Sequence, residues 1–477
     1  MPDNRLLPRA TASKASAVAT AMLHRLADRT LVTEAAQNAA QTMGRPVWEP
    51  GGSLYAGAAG SALAFGYAAR ACPEASDHWW AEARDWLRLT ADSTQDDPVS
   101  FPSLSNGTAG VALAVAGSDP DGRYARTLRG LHSQLAEQVV QYGTPGERGL
   151  AFWDYDVIDG PAGILGYLSL HTADSTARRV ATRIIERFVV DWDSVDPRTG
   201  DDRARPGRRE QDTALGELHT PDWTPWRIQR ENYPPRQAEH EFYPYGYVDL
   251  GLAHGIPGPL AALSHAWLAG LRVPGLLEAV RALAEQIVAA SQWGDHGRDW
   301  PRVLPFDESG AVAPHMSRRS DPVYCYGSPG VASALLDAAD ALDDDALRAI
   351  AVEGFEAALR RRQDGSPSLF PGLCHGDAGF LMICLKFVTQ TGSTAARNAL
   401  VGLVDGLLSR CDPRQDLFVQ NHVSPRDAMP GSPLASATEG TWIDSPGLLE
   451  GSTGVALTLL SAATAVPPRW ARALLIN

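Results

Sequence analysis

HGDAGFLMICLKF, residues 375–387, is the stretch from which the fold can be read. Two glycines, Gly376 and Gly379, stand three apart at its head. The run behind them is apolar on nearly every side, and a helix apolar all round is a buried helix. The same pattern opens at Gly57 (GAAGSALAFGYAA), Asn106 (NGTAGVALAVA), Asp159 (DGPAGILGYLSL), His254 (HGIPGPLAALSHA), Tyr326 (YGSPGVASALLDAA) and Glu450 (EGSTGVALTLLSAA), seven copies in all. The unit is about 50 residues long, a period typical of repeat architectures, with insertions after the third, fourth and sixth copies. The paired glycines suit a tight turn with positive φ and close backbone approach.

In most units an amphipathic stretch follows, such as STARRVATRIIERFVVDW (175–192) and DDALRAIAVEGFEAALRRR (344–362). Apolar residues there recur at three and four positions, with charge on the opposite face. Each unit therefore predicts a buried inner helix and an amphipathic outer one. A single unit cannot bury its own apolar face, so the units must stack. The inner runs carry almost no charge to show solvent along an open groove, which favours closure. The expected fold is all-α: a double-layered α/α barrel of seven helix pairs, one domain over residues 1–477, with the glycine turns at one end around a central cavity. The segment 197–246, rich in Pro, Arg, Asp and aromatic residues, breaks the pattern and reads as a subdomain inserted between repeats three and four. Long insertions on rigid scaffolds often carry binding; a solvated surface elaboration is the plainer alternative.

Composition excludes several functions. The net charge of −14 disfavours a nucleic-acid partner, which needs clustered Lys and Arg. No apolar run reaches 18 residues and the N-terminus lacks an apolar signal core, so the expected location is the cytoplasm. Five cysteines in such a chain argue against a disulfide framework and for metal binding or catalysis.

The chemistry gathers at the turns. His254 stands in LAHGIPG, Cys325 in VYCYGSPG, and Cys374 and His375 in LCHGDAG. If the turns face one another across a barrel mouth, these residues converge from far apart in sequence. Thiolate and imidazole suit zinc, and a catalytic zinc keeps three protein ligands and one open position. Cys325, Cys374 and His375 would supply the three, although spacing alone, with no CxxC pair, does not specify a metal. Cys384 reads as a small core residue, and Cys72 and Cys411 as non-ligands. Asp156 and Asp159 lie at the third turn; Asp159, next to the turn glycine, reads as the helix cap, leaving Asp156 available for proton chemistry.

LAHGIPG, YCYGSPG and LCHGDAG, in this order, resemble the signature motifs of the lanthionine synthetase C-like family, the lanthipeptide cyclases. The resemblance covers nearly the whole chain and implies a sevenfold α/α barrel. It implies an enzyme that adds peptide Cys thiols to dehydroalanine or dehydrobutyrine, forming lanthionine or methyllanthionine thioether rings. It implies one zinc ion on Cys325, Cys374 and His375, with catalytic roles for His254, Asp156 and Tyr326. The implied partners are a dehydrated precursor peptide and a separate dehydratase, because no dehydratase region precedes the barrel. The chain thus resembles a stand-alone, class I type cyclase, which allows peripheral association with a membrane-bound modification and export complex. Segment 197–246 becomes a candidate for leader-peptide contact. One departure stands out. The family often has an arginine four residues before the first zinc cysteine, and that place holds Asp321 here; Arg318 and Arg319 lie nearby, and either one substitutes through a local shift or the contact is absent, and neither is assigned. Tyr324 also stands where Trp is common. Competing readings are a zinc-stabilised, non-catalytic peptide-binding scaffold, an enzyme acting on free glutathione, and an α/α-barrel glycosidase. The last would need paired carboxylates at the turns.

Overall fold

A computed structural model describes residues 6–141, 149–190, 222–233, 239–318, 321–365 and 370–477. Seven inner helices start at the seven turns: α3 (Ala58–Ala71), α5 (Thr108–Gly117), α7 (Pro161–Leu168), α10 (Pro257–Leu268), α12 (Ser328–Leu342), α14 (Asp377–Gln390) and α16 (Ser452–Ala463). Almost all of their residues are buried. Each packs on the next, and α16 packs back on α3, so the ring is closed. Six outer helices follow their inner partners: α4 (Ser76–Asp96), α6 (Ala125–Gln138), α8 (Ser175–Val190), α11 (Leu276–Ala289), α13 (Asp345–Asp364) and α15 (Thr394–Ser409). The seventh outer helix comes from the other end of the chain. α1 (Arg9–Ala27) packs on α16 and α15, buries Ala12, Ala15, Ala19 and Met22, and joins the N-terminus to the last repeat. α2 (Arg29–Met43) then runs to the mouth of the barrel.

Aromatic stacking ties the two layers. Phe355 of α13 stacks on Phe387 of α14 with ring centroids 4.3 Å apart. Phe65 of α3 lies between Trp79 and Trp86 of α4 at 5.7 and 6.3 Å. Such pairs contribute about 0.5–1.5 kcal/mol each beyond the area they bury.

The turns hold the ring together through the backbone. In every repeat the carbonyl two residues before the first motif glycine accepts an N–H from the neighbouring turn. Leu54 donates to Ser105, Ser105 to Ile158, Val157 to Ala253, Ala253 to Cys325, Cys325 to Cys374, Cys374 to Leu449, and Leu449 to Tyr55, at 2.8–3.4 Å. The second glycine of the motif is set by close approach of the backbone within its own turn. A Cβ on Gly379 would overlap the carbonyl oxygen of Leu373, and one on Gly110 that of Leu104. Positive φ, expected at these turns, is absent. The first glycines that cap inner helices have φ between −102° and −158°, and no motif glycine is among the positive-φ residues. Closeness of backbone to backbone, not handedness, is what excludes a side chain there.

Short strands occur only in the inserted stretches among the described residues. β1 (Tyr247–Asp249) pairs antiparallel with β4 (Val303–Pro305), β2 (Gln292–Gly294) with β3 (Gly297–Asp299), and β5 (Gln420–Val423) with β6 (Thr441–Asp444). The described part of segment 197–246 includes the one-turn helix α9 (Glu239–Phe242) and packs against the barrel. Trp226 is buried with its ring 5.5 Å from Tyr155, and Ile228 bridges Leu150 and Tyr247. Residues 197–221 and 234–238 of that segment lie outside the described residues.

The end of the barrel away from the glycine turns is closed by the C-terminus. The 3-10 turn Arg469–Leu474 packs on α3, α5 and α7, and Leu474, Leu475 and Ile476 are buried. Lys386 and Asp337, charges on inner helices, pair there at 2.6 Å with His265 3.2 Å from the same carboxylate. Pairing of this kind is how a close-packed interior holds charge.

Candidate functional site

The belt sets the register of the site. Cys325 and Cys374 occupy the same repeat position, two residues before the first glycine, in adjacent turns. The bond from Cys325 N–H to Cys374 O, 3.3 Å, makes them neighbours. One residue on, directly before the glycine, the repeats carry Ala56, Asn106, Asp159, His254, Tyr326, His375 and Glu450. Three successive members of this ring are in contact. Tyr326 lies 6.1 Å from His254 on one side and 5.4 Å from His375 on the other, ring to ring. Glu450 follows, its carboxylate 3.9 Å from His375 Nδ1.

The sulfurs of Cys325 and Cys374 and a ring nitrogen of His375 all lie within 4.8 Å of one another, the described residues' one group of metal-donor type. Against the expectation of no disulfide, the two sulfurs are joined. The belt accounts for it: it brings the Cα atoms to 5.6 Å, within disulfide reach. Reduced, the pair offers two thiolates beside an imidazole, the donor chemistry zinc takes. Both cysteines stand just before inner-helix N-termini, whose positive ends favour thiolate. Burial, with Arg302 and His254 nearby, pushes the His375 imidazole down to about 4, so it is neutral and able to ligate. The other cysteines differ. Burial pushes Cys384 and Cys411 each up to about 12 and raises Cys72, as core thiols.

His254 is held from below. Its Nδ1 lies 2.7 Å from Oδ2 of Asp156, which is fully buried. Burial raises the Asp156 carboxyl and would lower His254, but their hydrogen bond and mutual attraction favour the charged form of both and leave His254 above its ordinary value. The helix-cap expectation for Asp159 fails. The N-cap of α7 is Gly160, one residue past Asp159, and it makes no side-chain cap hydrogen bond. Asp156 instead accepts the Asp159 N–H at 2.9 Å, so the carboxylate expected to be available also organises the turn. Asp159 lies in the ring beside His254; burial and the Asp156 charge push its carboxyl up to about 6.

A cavity of about 1310 Å³ opens over the Tyr326–Glu450 side of the ring of turns. Tyr326, Cys374, His375 and Glu450 line it, together with Arg302, Asp321, Phe370, Asn421 and His422. The sequence reading missed most of the second group because they sit in inserted stretches, outside the repeat. The Arg318 guanidinium lies over Phe242, 4.2 Å from the ring centroid, and Arg319 is outside the described residues. It is Arg302, immediately before β4, whose guanidinium lies 4.1 Å over the Tyr326 ring.

Among the described residues no helix is long and apolar enough to cross a membrane. The nisin biosynthesis protein NisC of Lactococcus lactis subsp. lactis is 28% identical over 294 residues, 60% of this chain and 62% of that protein. The alignment thus spans less than two thirds of that relative. The solved structure of a nisin cyclase has a TM-score of 0.69 at 22% identity, covering 94% of this chain and 97% of the other, an agreement of fold. A sequence model described as lanthionine synthetase C-like protein matches residues 50–475, the whole span of the seven turns. This chain belongs to the lanthionine synthetase C-like family.

Proposed function

We propose that the protein is a zinc-dependent lanthipeptide cyclase. It adds peptide Cys thiols to dehydroalanine or dehydrobutyrine of a dehydrated precursor peptide supplied by a separate dehydratase. The observation that carries this reading is the convergence of Cys325, Cys374 and His375 with the His254–Asp156 pair on either side of Tyr326, with Tyr326, Cys374 and His375 lining a cavity. Cys325, Cys374 and His375 would hold one zinc ion per chain, which supplies a Lewis acid that lowers the pKa of a substrate thiol.

The remaining steps belong to the chain's own residues. The thiol gives up its proton to solvent, the sulfur forms a bond to the β-carbon of the dehydro residue, and the electron pair of the double bond moves toward the neighbouring carbonyl oxygen. Arg302 faces the site with a charge suited to that developing enolate. His254, its Nδ1–H donated to Asp156, presents Nε2 for proton transfer and delivers a proton to the α-carbon. Tyr326 sets the spacing between the imidazole and the metal donors. Nothing leaves: the product is an isomer of the substrate. Segment 197–246 is suited to leader-peptide contact, since its described part is anchored in the core beside repeat three.

The test uses a synthetic peptide carrying one dehydroalanine and one Cys. Because mass does not change on ring closure, free thiol is counted by alkylation. Loss of one alkylatable thiol with the zinc-loaded protein, and none after chelation, is the expected result. Binding without thiol loss would favour the scaffold reading.

A further inference from the structure

The contact of His254, Tyr326 and His375 does not stop at the reacting groups. Beyond His375 the series continues to Phe370, centroids 6.3 Å apart. Beyond His254 it continues to Phe152 at 5.1 Å and from there to Trp153 at 4.9 Å. Among the described residues six rings thus run in series across the site. The two outermost are exposed, Phe370 at 39% and Trp153 at 38%. One end lies in the cavity and the other outside its lining, on the surface of repeat three. Exposed large aromatic side chains are normally incidental when scattered singly. These two are the outermost described rings of a track whose middle is the candidate reaction site.

We propose that Trp153 and Phe370 are specificity-determining residues that grip apolar side chains of the substrate peptide on opposite sides of the ring being closed. This rests on the cyclase reading. The reacting sulfur belongs beside Cys325, Cys374 and His375, and the proton donor is His254, so the reacting residues lie over Tyr326 in the middle of the track. An extended peptide advances about 3.3 Å per residue, so rings 4.9–6.3 Å apart meet it every one to two residues. A peptide long enough to reach past the reacting pair therefore runs out along the track, over Phe370 in one direction and Trp153 in the other. Flat apolar faces there reward Leu, Ile or aromatic residues and give nothing to Ser or Gly.

The test measures equilibrium binding of unreactive peptides, with Cys replaced by Ser, to zinc-loaded protein. One peptide has Leu on both flanks of the dehydroalanine–Ser pair, one has Ser on both, and two carry Leu on one flank only. Wild type should bind the doubly Leu-flanked peptide at least tenfold more tightly than the Ser-flanked one. Trp153→Ala should erase the preference at one flank and Phe370→Ala at the other, with metal content and Tm as folding controls. A structural role would weaken all four peptides together and leave their ratios intact, which would overturn the proposal, as would a wild type indifferent to the flanks. Preserved flank preference in a protein that closes no ring would instead sink the cyclase reading and leave the gripping role standing.

Discussion

His254 and Asp156 come from different repeats, 98 residues apart, and meet at 2.7 Å because the belt bond from Val157 N–H to Ala253 O joins their two turns. The carboxylate is fully buried while the imidazole keeps a quarter of its surface exposed. Such a pair orients a proton carrier and raises its pKa. If His254 delivers a proton as the imidazolium, ring closure should fall as pH rises through its pKa, above 6.5. Asp156→Asn removes the attraction that raises it, so the alkaline limb should move to lower pH. His254→Ala should slow ring closure by about 10²–10⁴-fold while keeping bound zinc. A pH–rate profile of both variants, with metal analysis, checks this; zinc lost with His254 would make it a ligand instead.

Metal removal should abolish ring closure reversibly. Reduced, freshly purified protein is expected to hold about one zinc per chain, and Cys325→Ala or Cys374→Ala to hold none. Because the belt and the aromatic core hold the ring independently of the ion, Tm in those variants should shift only a few degrees. Elemental analysis beside calorimetry gives both numbers, and an unfolded chelated protein would contradict this division of labour.

Arg302 and Arg318 should separate cleanly. Arg302→Met removes the cation over Tyr326 and should reduce kcat about 10–100-fold with zinc content unchanged. Arg318→Ala removes a guanidinium that lies over Phe242 and should leave kcat within about twofold. The reverse pattern in steady-state kinetics would return the role to the stretch before Cys325.

Two glycine substitutions of the same size should differ in sign. A Cβ on Gly402, in the outer helix α15, meets nothing within 4 Å. Gly402→Ala should stabilise by about 0.4–1 kcal/mol. Gly379→Ala drives a methyl into the Leu373 carbonyl and should destabilise by about 2 kcal/mol or more. Denaturant unfolding measures both; equal effects would mean that the turn relaxes freely.

Acid should weaken the fold through two buried histidines before carboxylates of ordinary pKa titrate, Asp159 at about 6 being an exception of opposite sign. Burial pushes His171, beside His132, and His265, beside Arg472 and Lys386, each down to about 4. Unfolded, they take up protons near 6.5. Between those values the unfolded chain binds more protons, so stability is complete above pH 6.5 and declines as pH falls toward 4. His171→Gln should flatten the Tm–pH slope in that window. An unchanged slope would assign the effect elsewhere.

Much was legible along the chain because the repeat writes one structural event seven times. Gly57, Gly107, Gly160, Gly255, Gly327, Gly376 and Gly451 mark the turns, and the apolar runs behind them mark the inner layer, since burial selects local composition. Cys325, Cys374 and His375 could be nominated for the same reason: they share turn positions. What no local pattern contains is who stands beside whom. That α1 is the seventh outer helix, that Asp156 rather than Asp159 orders its turn, and that the cation over Tyr326 is Arg302 follow from ring closure and from inserted loops without a repeat to index them. The sequence alone determined the repeat, its two layers and the chemical types at the turns, because periodicity and composition are local consequences of burial. Only the tertiary structure decided the pairings, because a closed belt of backbone hydrogen bonds, invisible in side-chain identity, sets which turns touch.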